Sequence, residues 1–259
     1  MKTLKNSIWL RQIFLLAILA MLGSSCKIMY KPNMMNVPLF KEKGEIVANV
    51  GVKNFQGAYA VTENIGVMVN GYYDKGGWEA STSDTTFGTS LTQYTTKRSL
   101  IEGGAGYFKS INDQIVAEVF VGGGLGQSSW DLSGYENGAP VGTPNVYTAS
   151  YLKIFAQPSV GIKQDIVDFI FTTRFVFLKF SNIETNYSQS QLVFENLDGI
   201  EVPSYLFLEP ALTLRVGYKW VKFHMQMGYS AKLTNDDLNT QTLMFNTALH
   251  FDIAKRFNQ

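Results

Sequence analysis

Apolar residues fall at every second position through most of the chain from Glu45 onward. Between Ser204 and Leu233, Leu206, Leu208, Pro210, Leu212, Leu214, Val216, Tyr218 and Trp220 alternate with a set containing Phe207, Glu209, Thr213, Arg215 and Lys219. Val221, Phe223, Met225, Met227, Tyr229 and Ala231 then alternate with Lys222, His224, Gln226, Ser230 and Lys232. Successive side chains of a strand point to opposite faces, so this period predicts strands with one apolar and one polar face. The same alternation recurs near 46–52, 55–61, 65–73, 101–107, 115–125, 152–162, 167–177 and 243–253, which makes about ten strands. Eight would remain if the first pair folded apart from the rest.

The connections alternate in kind. Thr62-Glu63-Asn64, Ile111-Asn112-Asp113, Gln164-Asp165 and the residues around Trp220 carry the short polar composition of tight turns. The stretches 76–97, 128–145, 182–203 and 234–240 are mostly polar and predict longer loops. Only Lys53-Asn54 would join the first two strands. Strands running up and down would then have short turns at one end, long loops at the other, and both chain ends on the short-turn side. An up-and-down outer-membrane β-barrel has that asymmetry.

Which face points inward decides the class. In a soluble sandwich the apolar face is inside; in a membrane barrel it meets lipid and the polar face is enclosed. The apolar faces run long, as from Leu206 to Trp220, whereas ordinary strands have about 5–6 residues and membrane strands about 9–11. Tyr73, Tyr107, Tyr218, Trp220 and Tyr229 end apolar faces, as interfacial aromatics do. The polar face carries both signs at mid-strand, in Glu102, Glu118, Lys153, Arg174, Glu209 and Arg215. A narrow interior needs such charges paired. A turn centred on Trp220-Val221 would set Glu209 opposite Lys232 and Arg215 opposite Gln226. One centred on Asp165-Ile166 would set Gln157 opposite Arg174. The expectation is therefore an all-β, antiparallel, up-and-down transmembrane β-barrel with a plugged polar lumen. Its lining network is Glu102, Glu118, Lys153, Gln157, Arg174, Glu209, Arg215, His224, Gln226, Lys232, His250 and Asp252.

Composition narrows this further. The chain has 259 residues, a net charge of +1, 14% aromatics and 23 glycines. The near-neutral charge offers no electrostatic case for a nucleic-acid partner. Lys2, Lys5 and Arg11 precede an apolar run from Ile13 to Leu22 and then Gly23-Ser24-Ser25-Cys26. A basic region, a short apolar region and small residues predict an export signal over 1–25. Cys26 is the only cysteine, so no internal disulfide can form. This end resembles the lipobox of bacterial lipoproteins, in which the cysteine becomes the lipidated first residue; that family usually has Leu where Gly23 stands, and here Leu22 is one place further back. The resemblance implies lipidation at Cys26. Residues 26–44 read as an extended, lipid-anchored tether and 45–259 as the barrel domain. The phrase NVPLFKEKGE is similar to that of lipid-anchored barrel-like proteins of Bacteroidota.

The whole pattern from Glu45 to Phe257 resembles the small outer-membrane β-barrels of Gram-negative bacteria. The ending FDIAKRFNQ, with Phe251, Ile253 and Phe257, resembles the terminal strand that their assembly machinery reads, departing from it at Lys255 and in the trailing Asn258 and Gln259. The resemblance implies outer-membrane lipid and that machinery as partners, and an outer-membrane location.

Few residues carry catalytic chemistry. Gly122-Gly123-Gly124-Leu125-Gly126 lacks the Lys-Ser/Thr of a phosphate loop and no helical pattern follows, so it reads as close strand packing. His224, His250 and Asp252 share the polar parity of the last hairpin and would suit acid–base or zinc chemistry. The favoured reading has no catalytic residue, metal or cofactor. It gives the protein a structural, adhesive or small-ligand-binding role through its outer loops. An outer-membrane enzyme using the His/Asp set is one alternative. A soluble, periplasm-facing lipoprotein barrel holding an apolar ligand is another.

Overall fold

A computed structural model describes residues 28–84, 88–136, 139–218, 220–234 and 238–253. The expected signal at 1–25, Cys26 and Phe257 lie outside them.

Eleven strands and one short helix make up the described chain: β1 (Ile46–Gly51), β2 (Asn54–Ala60), β3 (Ile65–Asp84), β4 (Gly88–Ser110), β5 (Ile115–Glu136), β6 (Ala139–Lys163), β7 (Val167–Thr185), α1 (Gln189–Phe194), β8 (Ser204–Tyr218), β9 (Val221–Tyr229), β10 (Ala231–Lys232) and β11 (Leu243–Asp252). Neighbours from β1 to β8 pair in sequence order, all antiparallel. β8 also pairs with β9, β9 with β11, and β11 with β1. Hydrogen bonds thus run in a closed ring through ten strands, leaving β10 as a short continuation beside β8. Closure removes the exposed edges that an open sheet would leave. Among the described residues no helix is long and apolar enough to cross a membrane, which says nothing of strands.

The alternating faces point as the charge argument requires. Phe175, Phe223 and Leu212 are 52%, 46% and 43% exposed, while Lys153, Arg174 and Arg215 are wholly buried. The outward apolar positions form a belt, from Ile65 to Tyr73 on β3, Ile115 to Leu125 on β5, Leu152 to Ile162 on β6, Val167 to Phe177 on β7 and Leu206 to Val216 on β8. Its height matches the about 9–11 residues that a membrane strand needs. Tyr59, Tyr107 and Tyr218 mark one rim, Tyr73 and Tyr229 the other, all exposed.

Three expectations need correction. Residues 76–84, 88–97, 128–136 and 139–145 are strand, not loop. β3 and β4 pair unbroken from Ile65↔Tyr107 to Asp84↔Gly88, and β5 and β6 pair from Ile115↔Ile162 to Glu136↔Ala139 with one irregularity at Leu132/Gly134. Long hairpins therefore project beyond the belt. The stretch 182–203 begins as strand through Thr185 and contains α1, whose N-terminus is fixed by a Ser188–Gln191 capping box. Leu197 and Ile200 after it are buried in the same apolar cluster as Tyr30, Tyr147 and Phe207.

The third correction is the largest. Residues 28–44 do not lead to the domain from outside. They run extended through the ring from its long-hairpin end to its short-turn end, with every residue from Met29 to Phe40 buried except the partly exposed Lys31. The first described residue, Ile28, is accordingly at the long-hairpin end, where Arg98 Nε donates to its carbonyl at 3.0 Å. It is not on the short-turn side.

Candidate functional site: a polar interior filled by the N-terminal segment

An extended segment enclosed by a closed sheet has no ladder partner, yet its N–H and C=O groups must be satisfied. Here side chains of the ring do this. Gln226 acts as a substitute strand, accepting from Met35 N at 2.8 Å and donating to Met35 O at 3.1 Å. Gln56 Nε2 donates to Met34 O and Gln157 Nε2 to Asn36 O, each at 2.7 Å. Arg215 donates to Val37 O, and Glu118 accepts from Leu39 N at 3.0 Å. Ser128 Oγ and Tyr72 Oη donate to Met29 O and Lys31 O, at 2.7 and 3.1 Å.

The centre of the ring is an ion-paired knot around Asn33. Lys153 Nζ and Arg174 Nη1 donate to Asn33 Oδ1 at 2.7 and 2.9 Å, and Asn33 Nδ2 donates to Glu102 Oε1 at 2.8 Å. Glu102 pairs with Lys153 at 3.0 Å and Arg174 at 3.4 Å, and accepts from Asn70 at 3.0 Å. Arg174 also donates to Gln157 Oε1 from Nε at 2.9 Å and lies 4.8 Å above the Phe155 ring. Glu209 faces Arg174 across β7 and β8 and accepts from Tyr30 Oη at 3.0 Å and Ser230 Oγ at 3.2 Å.

A second cluster closes the short-turn end. Lys163 pairs with Glu45 at 2.6 Å and Asp252 at 3.2 Å; Lys222 pairs with Asp168 at 2.6 Å. The long-hairpin end is held by Asp74, just beyond the belt, with Lys31, Lys53 and Arg98 around it. Burial pushes the Asp74 carboxyl up, but hydrogen bonds from Lys31 and Lys53 outweigh this and hold it at about 2.

Interior glycines make room for the segment. A Cβ on Gly66 would stand 2.8 Å from the Phe40 ring, and one on Gly161 would stand 2.9 Å from Leu39 Cδ1. Gly161→Val is expected to lower stability by about 1–3 kcal/mol through overpacking. Leu39→Ala in the same chain should recover part of that loss. Midpoints of heat unfolding for the four combinations, followed by gel mobility in detergent, check this. Gly122 and Gly124 in the glycine run serve close strand packing instead, since a Cβ at Gly124 would fall against Ile101 O and 2.5 Å from Glu102 Cβ on β4.

The expected register is right in one hairpin and shifted in the other. Lys163↔Asp168 and Ala156↔Phe175 bracket Gln157 and Arg174, which hydrogen-bond as described. In the last hairpin Tyr218 pairs with Val221, so Arg215 faces His224 and Thr213 faces Gln226. Glu209 meets Ser230, while Lys232 faces Phe207 and donates to Leu238 O at 3.3 Å. The turn is centred one residue earlier than expected, which slides the register by two and keeps every side chain on its face.

His224, His250 and Asp252 do not converge on a common point. His224 Nδ1 accepts from Arg215 Nε at 3.3 Å, His250 Nδ1 lies 2.8 Å from Asn49 Oδ1, and Asp252 pairs with Lys163. Among the described residues no three His, Cys, Asp or Glu side chains are grouped to hold a metal ion. Interior partners absent from the expected network include Asn33, Asn36, Glu45, Asn49, Gln56, Asn70, Lys163, Asp168 and Lys222. Asn70 and Asp168 sit on the polar parity, a usable signal; Asn33 and Asn36 lie in a segment without any period. No family model matches this chain, and neither does any curated protein.

Proposed function

We propose that the protein is a transmembrane β-barrel of an outer membrane. In this reading its own N-terminal segment fills it, and it serves a structural, adhesive or ligand-binding role through the hairpins projecting beyond the membrane. The inversion of faces carries this reading. A soluble barrel would hide Phe175, Leu212 and Phe223 and wet Arg174, Lys153 and Arg215; here the reverse holds. The soluble alternative needs an apolar cavity inside, whereas residues 29–40 occupy the interior, among an ion-paired knot and a packed apolar cluster. The filled ring supports a closed barrel rather than a pore. Binding is then left to the hairpins, where Trp78 stacks on Tyr94 at 4.3 Å on exposed sheet.

The test uses single cysteines at Leu212 and Phe223 in membranes isolated from cells. Both should react with a bilayer-soluble reagent and resist a water-soluble maleimide, and the protein should stay with the outer membrane after carbonate washing. Ready reaction with the water-soluble reagent at both sites, together with release by carbonate, would remove the reading.

A further inference from the structure

The filling segment has a direction, and that direction has a consequence for the chain's N-terminus. At the long-hairpin end, Met29 N donates to Asn239 O at 2.8 Å and Gln241 N donates to Tyr30 O at 3.0 Å, in a parallel bridge of Tyr30 with Thr240. Lys31 is tied there to Asp74 at 2.7 Å. At the short-turn end, Lys41 Nζ donates to Asp113 O in the β4–β5 turn, Gly44 N donates to Ala60 O at 2.9 Å, and Phe40 packs on Phe108 at 5.3 Å. The strand that ends the ring finishes at this same end, with Asp252 N donating to Trp220 O at 2.9 Å. The chain therefore enters the ring among the long hairpins, crosses its whole length and emerges beside the turns.

We propose that the chain enters the barrel at Ile28 from the long-hairpin face of the membrane, opposite the end of β11. An acyl anchor on Cys26 would then insert in the outer leaflet. This rests on the membrane-barrel reading above. Chain length leaves no other route. Two residues reach at most about 7 Å, while crossing back over the belt needs the length of a whole membrane strand. The interior offers no second path, because Tyr30, Asn33, Met35 and Phe40 already occupy it, each buried against the ring. Long hairpins face outward in outer-membrane barrels and short turns face the periplasm. The chain's entry point is thus placed at the outer surface, and its interior stretch runs from there through the barrel's centre to the short turns. An anchor in the inner leaflet, the natural expectation if both chain ends left by the short turns, is excluded by the threading.

The test places one protease site in each of three full-length, membrane-assembled variants: between Lys27 and Ile28, between Asp84 and Gly88, where the described β3–β4 pairing ends, and after Asp113. Protease is added to intact cells and then to permeabilised ones. The Lys27/Ile28 site and the hairpin site should both be cut in intact cells, with the Asp113 site cut only after permeabilisation. If the Lys27/Ile28 site is protected together with the Asp113 site, the threading is overturned while the barrel reading stands. If the hairpin and Asp113 sites behave alike, the protein does not span the membrane, and both readings fail together. A variant that fails to assemble is recognised by lost heat-modifiable mobility and is replaced by the same site moved to Gly142 or Glu63, on the same respective faces.

Discussion

Deleting residues 28–43 is expected to turn a closed ring into one that passes ions and small solutes. A barrel of about eight strands has a bore that its own side chains just fill, and diameter grows roughly linearly with strand number. Ten strands give a bore roughly a quarter wider, and the N-terminal segment takes up that difference. Removing it leaves Glu102, Glu118, Lys153, Arg174, Arg215 and Gln226 lining an empty axis. Those groups hydrate rather than collapse onto one another, because unpaired charges and amides keep water. The full-length protein should be silent in a planar bilayer at protein levels where the deletion variant shows steps of conductance. A synthetic peptide of residues 28–43 added to the variant should reduce that conductance, since Gln226, Gln56 and Gln157 offer it the same backbone partners. A deletion variant that assembles with normal heat-modifiable mobility and still does not conduct would mean that the ring's own side chains close it.

How much of this could be read from the chain depends on what surrounds each residue. The faces of β8 and β9 were legible because exposed apolar and buried polar positions alternate, and a two-residue error in register leaves Arg215 and Gln226 on the inner side all the same. The projecting halves of β3 to β6 were not legible. Beyond the belt, polar residues such as Thr92, Thr95, Ser129 and Thr148 are only partly buried, and the buried Trp130, Tyr147 and Ala149 are too few to set a hydrophobic period, so a strand reads as a loop. The filling segment escaped for the opposite reason. MYKPNMMNVPLF, from Met29 to Phe40, is buried on all sides apart from the partly exposed Lys31, so it has no face to alternate. In hindsight its composition fits the place. Between Lys31 and Lys41 there is no charge, Pro32 and Pro38 remove two backbone donors that would otherwise need partners, and Asn33 and Asn36 supply both donor and acceptor to the ring.

Glu102→Leu is expected to be the most damaging single substitution, because the Asn33 knot depends on its one carboxylate. Lys153 and Arg174 both donate to the single oxygen Asn33 Oδ1, and Glu102 is the anion within 3.0 and 3.4 Å of them. All three charged groups are fully buried, so the cations left behind have no water to screen them. Breaking a buried pair from one side costs about 3–5 kcal/mol. Glu209 faces Arg174 across the β7–β8 ladder and keeps one anion in range, which places the loss toward the lower end. Arg174 retains Gln157 and the Phe155 ring, whereas Lys153 retains only Asn33 and aromatic faces near 6 Å. Lys153 is therefore the cation left most exposed to the loss. Glu102→Leu combined with Lys153→Met should recover about half of the stability lost, since it removes the stranded charge and substitutes a side chain of similar volume. Urea midpoints of heat-modifiable mobility, measured for both single variants and the double, give the coupling. Additive losses would show that the two side chains act independently, and that Asn33 alone holds the centre of the segment in place.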